Sequence, residues 1–400
     1  MHPPAEALRH MLEAALPPPA AENRGLAEAL DATLAADVRA RQPVPAFDNS
    51  AMDGYALRAE DADAGQALRV SQSVMAGSSP APLAPGTTAR IFTGAPLPEG
   101  ADCVVMQENC DSVDGAVRFP AALSAGSHVR RRGEDVAAGG LLVHRGRRLR
   151  PQDLGLLASA GVAAVEVYRP LRVAVLVTGD ELREPDGEPL RGGEIFNSNG
   201  PMLAALLRRC GMQAILADPV EDSEQAVAQA LQHAAGVADV IISTGGVSVG
   251  DADYIKSEIE RLGALSLWRI AIKPGKPLAF GRVGQIPFIG LPGNPSSVFV
   301  TFAMLARPFL LACQGREEPD MPRMTARAGF SVATAGSREE YFRVAMVRGE
   351  CGTQAVLAGN QSSGALTAAS RAQAFAVVPP GTLVQPGDNV EIILLDTLIP

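Results

Sequence analysis

Arg172-Val-Ala-Val-Leu-Val-Thr178 is an unbroken apolar run that ends in a polar residue. A strand of that composition must be buried on both faces, and only a sheet covered by helices on each side offers such a place. Ala238-Asp-Val-Ile-Ile-Ser243 repeats the pattern. Helix-period segments at 200–211 and 223–236 separate the two runs, with a short strand, Ala214-Ile215-Leu216, between them. Strands alternating with helices of about a dozen residues imply right-handed βαβ units and a parallel sheet. Ligands of open α/β sheets bind where the strands end, and polar residues collect there in this chain.

The flanking regions read differently. Leu8, Met11, Leu12, Ala15 and Leu16 share one helical face over residues 5–16, stopped by Pro17-Pro18-Pro19. A second helix is expected from near Glu22, with extended chain by Pro43 and Pro45. From 46 to 145, β-branched runs such as Ala89–Thr93 and Asp102–Met106 sit between Gly/Pro turns and predict a mostly β module. Pro151 to Ser159 reads as a small helix. The apolar stretch Val298 to Cys313 is interrupted by Arg307-Pro308, after which the helical signal fades. Residues 322–400 read as short strands of a small barrel or sandwich. The 40 glycines and 31 prolines fit this turn-rich organisation.

Charge and cysteine usage narrow the function. With 35 Lys+Arg against 44 Asp+Glu the net charge is −9, which argues against general nucleic-acid binding. A small anion could bind only at a local basic cluster. Five scattered cysteines without a C-x-x-C pair point to reduced thiols in the cytoplasm, not a disulfide framework or a zinc site. Neither a signal peptide nor a membrane span is expected, since Glu6 and Glu13 interrupt the N-terminal apolar residues and 298–313 is too short to span a bilayer.

Several motifs fall at strand ends. Gly246-Val-Ser248-Val-Gly250 has the spacing of a nucleophile elbow, but no histidine follows Ser248 to serve as base. Thr244-Gly245-Gly246 reads instead as a glycine turn whose N–H groups can face an anion, or as a plain strand-to-helix turn. Lys273-Pro-Gly-Lys276-Pro277 is a stiff loop presenting two ammonium groups, suited to a compact tetrahedral oxyanion or simply solvated. Gly290-Leu-Pro-Gly293-Asn294-Pro295-Ser296-Ser297 leads into a helix whose first N–H groups are an anion cradle or an ordinary cap. Asp180, Glu181, Asp222, Asp251 and Asp253 follow strands or the glycine turn. Together they could hold Mg²⁺, and singly each could be a cap or a solvated acid. Phe47-Asp-Asn-Ser-Ala-Met-Asp53-Gly-Tyr55, Thr93-Gly-Ala-Pro96 and Arg130-Arg-Arg-Gly-Glu134-Asp135 mark the β module, with capping or solvated-face readings open for each.

Taken with Thr178-Gly-Asp-Glu181 and Leu291-Pro-Gly-Asn-Pro295, these segments run in one order from about residue 5 to 397 and resemble the molybdopterin molybdenumtransferase (MoeA) family, to which the C-terminal domain of gephyrin is related. The resemblance implies a multidomain α/β plus β fold. An elongated helical domain would comprise 1–45 and 146–170, with an inserted β domain at 46–145. A parallel-sheet α/β molybdopterin-binding domain would span 171–318, and a C-terminal β-barrel 319–400. It also implies a homodimer whose site joins the α/β domain of one subunit to the inserted domain of the other.

The implied reaction inserts molybdate into adenylylated molybdopterin with release of AMP. Lys273, Lys276 and Pro277 would hold molybdate, completed by Ser297, Arg343 and Ser363. Arg269 and Asn294 join the substrate-binding set. Asp180, Glu181, Asp222 and Asp253 would hold or orient Mg²⁺ on the phosphoanhydride, the last three counted also as catalytic. Gly245, Gly246 and Ser248 would contact the nucleotide or pterin, and Asp53, Thr93 and Asp135 would enter from the partner subunit. Three positions depart from the family pattern: Arg269 stands where many relatives carry Lys, Ser296 replaces a common Val, and Gly364-Ala365 follow Ser363 where larger polar residues are frequent. The alternatives are an ATP-dependent molybdopterin adenylyltransferase, which needs neither the inserted domain nor the barrel, and a non-enzymatic scaffold. The adenylyltransferase is also a candidate for transient contact as substrate donor.

Overall fold

The apolar runs at 172–178 and 238–243 become the centre of a six-stranded sheet in the computed structural model, which describes residues 1–62, 66–246, 254–317, 323–349 and 352–398. Its spatial order is Gln213–Leu216, Arg172–Val177, Val240–Thr244, Ile286–Leu291, Pro277–Val283, Gly263–Arg269. The first four strands are parallel, as the sequence predicts, and the last two run antiparallel to their neighbours. The reversal is local. Val283 pairs with Ile286 across the two-residue turn Gly284-Gln285, and Gly284 takes φ +58°, the positive value that a tight hairpin needs at its first turn position.

Helices Asn199–Arg209 and Glu224–Val237 form where the 3.6-residue pattern places them. Ser223 caps the second, its hydroxyl accepting from the Ala226 N–H (3.2 Å). One sheet face packs on Val227, Leu231, Ile255 and Ile259. The other packs on the helix Pro295–Cys313, where Phe302, Phe309 and Leu310 are fully buried.

That helix corrects the expectation that Arg307-Pro308 ends it. It continues through Cys313 because Phe302–Ala306 widens into a π-helical turn. Proline lacks an N–H and its ring crowds the carbonyl four residues back, and a wider turn relieves both demands. The helix is long and apolar, yet 89% of its most apolar 18-residue stretch is buried inside the protein, which makes it a core helix.

A second expectation fails near Glu22. Ala21–Gly25 is a strand paired antiparallel with Ala164–Tyr168, not a helix. Asn23 and Gly25 are poor helix formers, and a distant strand satisfies the backbone instead. The expected helices Pro4–Glu13 and Pro151–Ser159 are present.

Within residues 46–145 lies a six-stranded sheet in the order Cys103–Met106, Gly54–Leu57, Thr87–Ile91, Ala67–Val74, Ala116–Arg118, Asp111–Val113. At the C-terminal end five strands close into a barrel, Glu339–Gly349 pairing with both Gly352–Leu357 and Ala374–Val378. The expected junction at 318–319 lies outside the described residues. The barrel shares a core with the α/β sheet: Tyr341, Phe375 and Ile393 belong to the same buried cluster as Val175, Ile289 and Phe309.

At the entry to this sheet, Asp239 accepts from Arg169 (2.7 and 2.9 Å), from the Arg172 guanidinium (3.1 Å) and from the Arg172 N–H (2.8 Å). Burial alone would raise its pKa, but these donors outweigh burial and hold the carboxyl well below the ordinary carboxylate range. A folded-state pKa below the unfolded one gives stability that is present above the unfolded value and lost as pH falls through the folded value. Asp239→Asn is therefore expected to cost about 1–3 kcal/mol in urea denaturation at pH 7, and the gap to the native protein should narrow below about pH 4.

Candidate functional site

The parallel strands end at a cavity of about 930 Å³, walled on its far side by the barrel. Its floor is built from glycines with no room for a side chain. Gly245 has φ +85°, and a Cβ there would sit 2.8 Å from the Thr178 carbonyl oxygen. Gly275, in the lysine loop, has φ +103°, and its Cβ would meet Thr301 Cγ2 at 2.6 Å. The loop thus lies directly on the core helix, and only glycine permits so close an approach.

Lys273, Lys276 and Pro277 line the cavity. Lys273 Nζ pairs with the largely buried Glu340 of the barrel at 3.0 Å. Lys276 is exposed, and among the described residues no carboxylate lies within ion-pair distance of it. Asn294 and Ser297 line the wall at the start of the core helix, and Ser363 faces them from the barrel, its carbonyl accepting from the Ser296 N–H (2.9 Å). That bond consumes one free helix N–H and fixes the distance between the two walls.

Gly245 and Glu181 also line the cavity. Asp180 lies beside them, accepting from the Asp222 N–H (2.9 Å). Burial, then repulsion from Asp180 and Glu181, raises the Asp222 pKa, so three carboxylates share one small region. Among the described residues no three metal-type ligands are already grouped as a cation site. Ser248, Asp251 and Asp253 lie outside the described residues. Gly246 (φ +61°) turns away from the cavity against Ile255, where a Cβ would collide with that side chain.

Several of the expected residues stand elsewhere. Arg343 is buried behind the barrel wall, donating to the carbonyls of Tyr341 (3.0 Å) and Ser362 (3.2 Å). Burial pushes its pKa down to about 10. It supports the Ser362-Ser363 loop and does not line the cavity. Arg269 closes the outermost strand, its carbonyl accepting from the His2 N–H. Asp135 lies at a separate shallow cleft with Arg130 and Glu134.

Asp53 and Thr93 form a unit on the inserted sheet. The Thr93 N–H and hydroxyl both donate to Asp53 Oδ1, at 2.8 and 2.7 Å. These bonds, with Arg90 nearby, lower the Asp53 pKa. Among the described residues, none from the inserted sheet lines the main cavity.

Sequence reasoning missed Asn199, Arg338 and Gln361, all of which line the cavity. Asn199 Nδ2 donates to the Gly293 carbonyl (2.8 Å) and to Thr244 Oγ1 (3.2 Å), tying two cavity loops together. Its Oδ1 and the Thr178 hydroxyl are buried without a partner at the cavity wall. The polar run Asn197-Ser198-Asn199-Gly200 ahead of a helix was the available signal. Ile195 and Phe196 stand exposed at the mouth, held by a parallel pairing with Leu182–Arg183.

Three family models match in order along the chain: the MoeA N-terminal region (domain I and II) at residues 2–161, a probable molybdopterin binding domain at 174–312, and the MoeA C-terminal region (domain IV) at 325–395. A molybdopterin molybdenumtransferase of Haemophilus influenzae is 40% identical over 341 residues, 84% of each chain. One from a Nostoc species is 36% identical over 376 residues, 90% of this chain and 86% of that protein. A solved molybdopterin biosynthesis MoeA protein from Pyrococcus horikoshii superimposes with a TM-score of 0.79 at 32% identity, covering 98% of both chains. On this evidence the chain belongs to the MoeA family of molybdopterin molybdenumtransferases.

Proposed function

We propose that the chain inserts molybdate into adenylylated molybdopterin and releases AMP, as a Mg²⁺-dependent cytoplasmic homodimer. The observation that carries this reading is the convergence of the lysine loop, the Thr244-Gly245 turn and the Asn294–Ser297 helix start on one cavity of about 930 Å³. That volume is at the upper end for small-molecule sites and suits a substrate built of a nucleotide joined to a pterin. The matched N- and C-terminal regions favour insertion over the adenylyltransferase alternative, which needs neither.

Cationic and acidic groups around the cavity divide the work by charge. Molybdate is a compact tetrahedral dianion, and Lys276 gives it a positive charge that no carboxylate among the described residues has already matched. Lys273 is held by Glu340, so its ammonium is fixed in place at the cost of part of its charge. Ser297 and Ser363 add hydroxyl donors, with Arg343 holding the Ser363 loop in position. The glycine turn offers backbone N–H groups to the phosphates. At the mouth, Phe196 presents an apolar face against which a pterin ring could lie.

The carboxylates of Asp180, Glu181 and Asp222 fit a hard cation, since their crowding is what a cation relieves. Mg²⁺ there would neutralise charge on the phosphoanhydride as AMP departs. Asp53 and Thr93 form an exposed hydrogen-bonded pair, and a second subunit would bring them over the open side of the cavity. The adenylyltransferase is the natural donor of the substrate, through a transient contact.

Three tests follow from this geometry. Lys276→Ala should lower molybdate-dependent AMP release about 100-fold or more with an unchanged thermal unfolding curve; a rate within a factor of a few of native removes Lys276 from the mechanism. Mixing Asp53→Ala and Lys276→Ala proteins after subunit exchange should restore about a quarter of native activity, whereas sites made within one subunit would restore none. Asp222→Ala should raise the Mg²⁺ concentration needed for half-maximal AMP release about tenfold or more, and an unaltered Mg²⁺ curve would place the cation elsewhere.

A further inference from the structure

A second polar cavity, of about 380 Å³, lies where the segment His144–Arg150 meets Arg316 and Glu317, just past the end of the core helix. It shares no lining residue with the main cavity. In a chain of net charge −9, its lining carries Arg145, Arg147, Arg148, Arg150 and Arg316, with Glu317 as the lining carboxylate.

The acids behind these arginines are already shared. Asp31 pairs with Arg148 at 2.7 Å. Asp153, itself buried, serves both Arg147 (3.5 Å) and Arg150 (3.0 Å). Arg316 donates to neutral partners, the Cys210 carbonyl (2.9 Å) and the Thr33 hydroxyl (3.4 Å). Burial first, then the positive charge of Arg148, pushes the Arg316 pKa down to about 10. Arg145 stands on a turn pinned by its own N–H to Asp37 (2.8 Å), and among the described residues no carboxylate is within ion-pair distance of its guanidinium. The wall is built tightly: Gly146 has φ +77°, and a Cβ there would lie 2.5 Å from Glu317 Cγ.

A solvated basic face would spread its charges apart. Here they converge on a concavity, from two segments brought together only by folding. We propose that this arginine-lined cavity is a second anion site, which takes the phosphate group of a small phosphorylated molecule. Guanidinium forks match phosphate oxygens in pairs, and several around one cavity suit a doubly charged group better than a single carboxylate. The volume admits pyrophosphate or a nucleoside monophosphate and is too small for a macromolecule.

The test is calorimetric titration of the full-length protein with pyrophosphate at low ionic strength, where such attraction is least screened. The native protein should take up two classes of pyrophosphate, one at each cavity. Arg145→Ser/Arg147→Ser should weaken one class about tenfold or more and leave molybdate-dependent AMP release within about twofold of native. Arg150 still holds Asp153 in that variant, so the fold has no reason to change. Arg145→Lys/Arg147→Lys, which keeps charge but loses the forked geometry, should fall between the two. AMP displacing pyrophosphate from the lost class identifies a nucleotide phosphate as the ligand, and failure to displace it identifies a free phosphate; either supports the site. Uptake of one class only by the native protein, or both classes undisturbed in the serine variant, overturns it.

Discussion

Two residues of main chain hold the site together. Ile272–Lys273 lies parallel against Glu339–Glu340 and joins the α/β sheet to the barrel. The pairing sets Lys273 beside Glu340 and lets the Glu339 N–H reach the Ala271 carbonyl (2.8 Å). It also brings the barrel loop to the core helix, where Ser363 accepts from the Ser296 N–H. A bridge this short is stable only because the apolar surfaces beneath it are continuous. Tyr341 and Phe375, fully buried in the barrel, pack edge to face in the cluster that includes the sheet residues Val175 and Ile289. Hydrophobic burial carries the energy, and the hydrogen-bonded bridge sets the register.

An acidic chain lines one cavity with cations by separating its charges. Carboxylates gather around Asp222, beside Asp180 and Glu181, while the lysines stand together in the loop that holds Lys276. Glu340 is the exception, an acid placed among the cations. It limits how far Lys273 can move, while Lys276, exposed in the same loop, has no carboxylate within ion-pair distance among the described residues. Glycines without space for a Cβ set how near the backbone comes on both sides, at Gly245 and Gly275.

Much of the fold was legible because apolar periodicity is a local property. The runs at 172–178 and 238–243 announced buried strands, and the repeats at 200–211 and 223–236 announced the helices covering them. Errors arose where a distant partner overrode local preference. Ala21–Gly25 became a strand because Ala164–Tyr168 lay alongside it. The core helix passed Pro308 because a π-helical turn made room and its neighbours kept the segment buried.

For the site, the sequence by itself determined which loops would line the cavity: lysines spaced across a Pro-Gly turn, a glycine pair after a strand, and a proline opening a helix. These are short-range features, written in consecutive residues. Only the tertiary structure decided that Asn199 ties two of those loops together, that Arg343 stands behind the cavity wall, and that Lys273 is matched by an acid from the barrel. Glu340 is 67 residues from Lys273, and Asn199 is 94 from Gly293. Contacts of that separation are set by how sheets and helices pack, and no local pattern of residues encodes them.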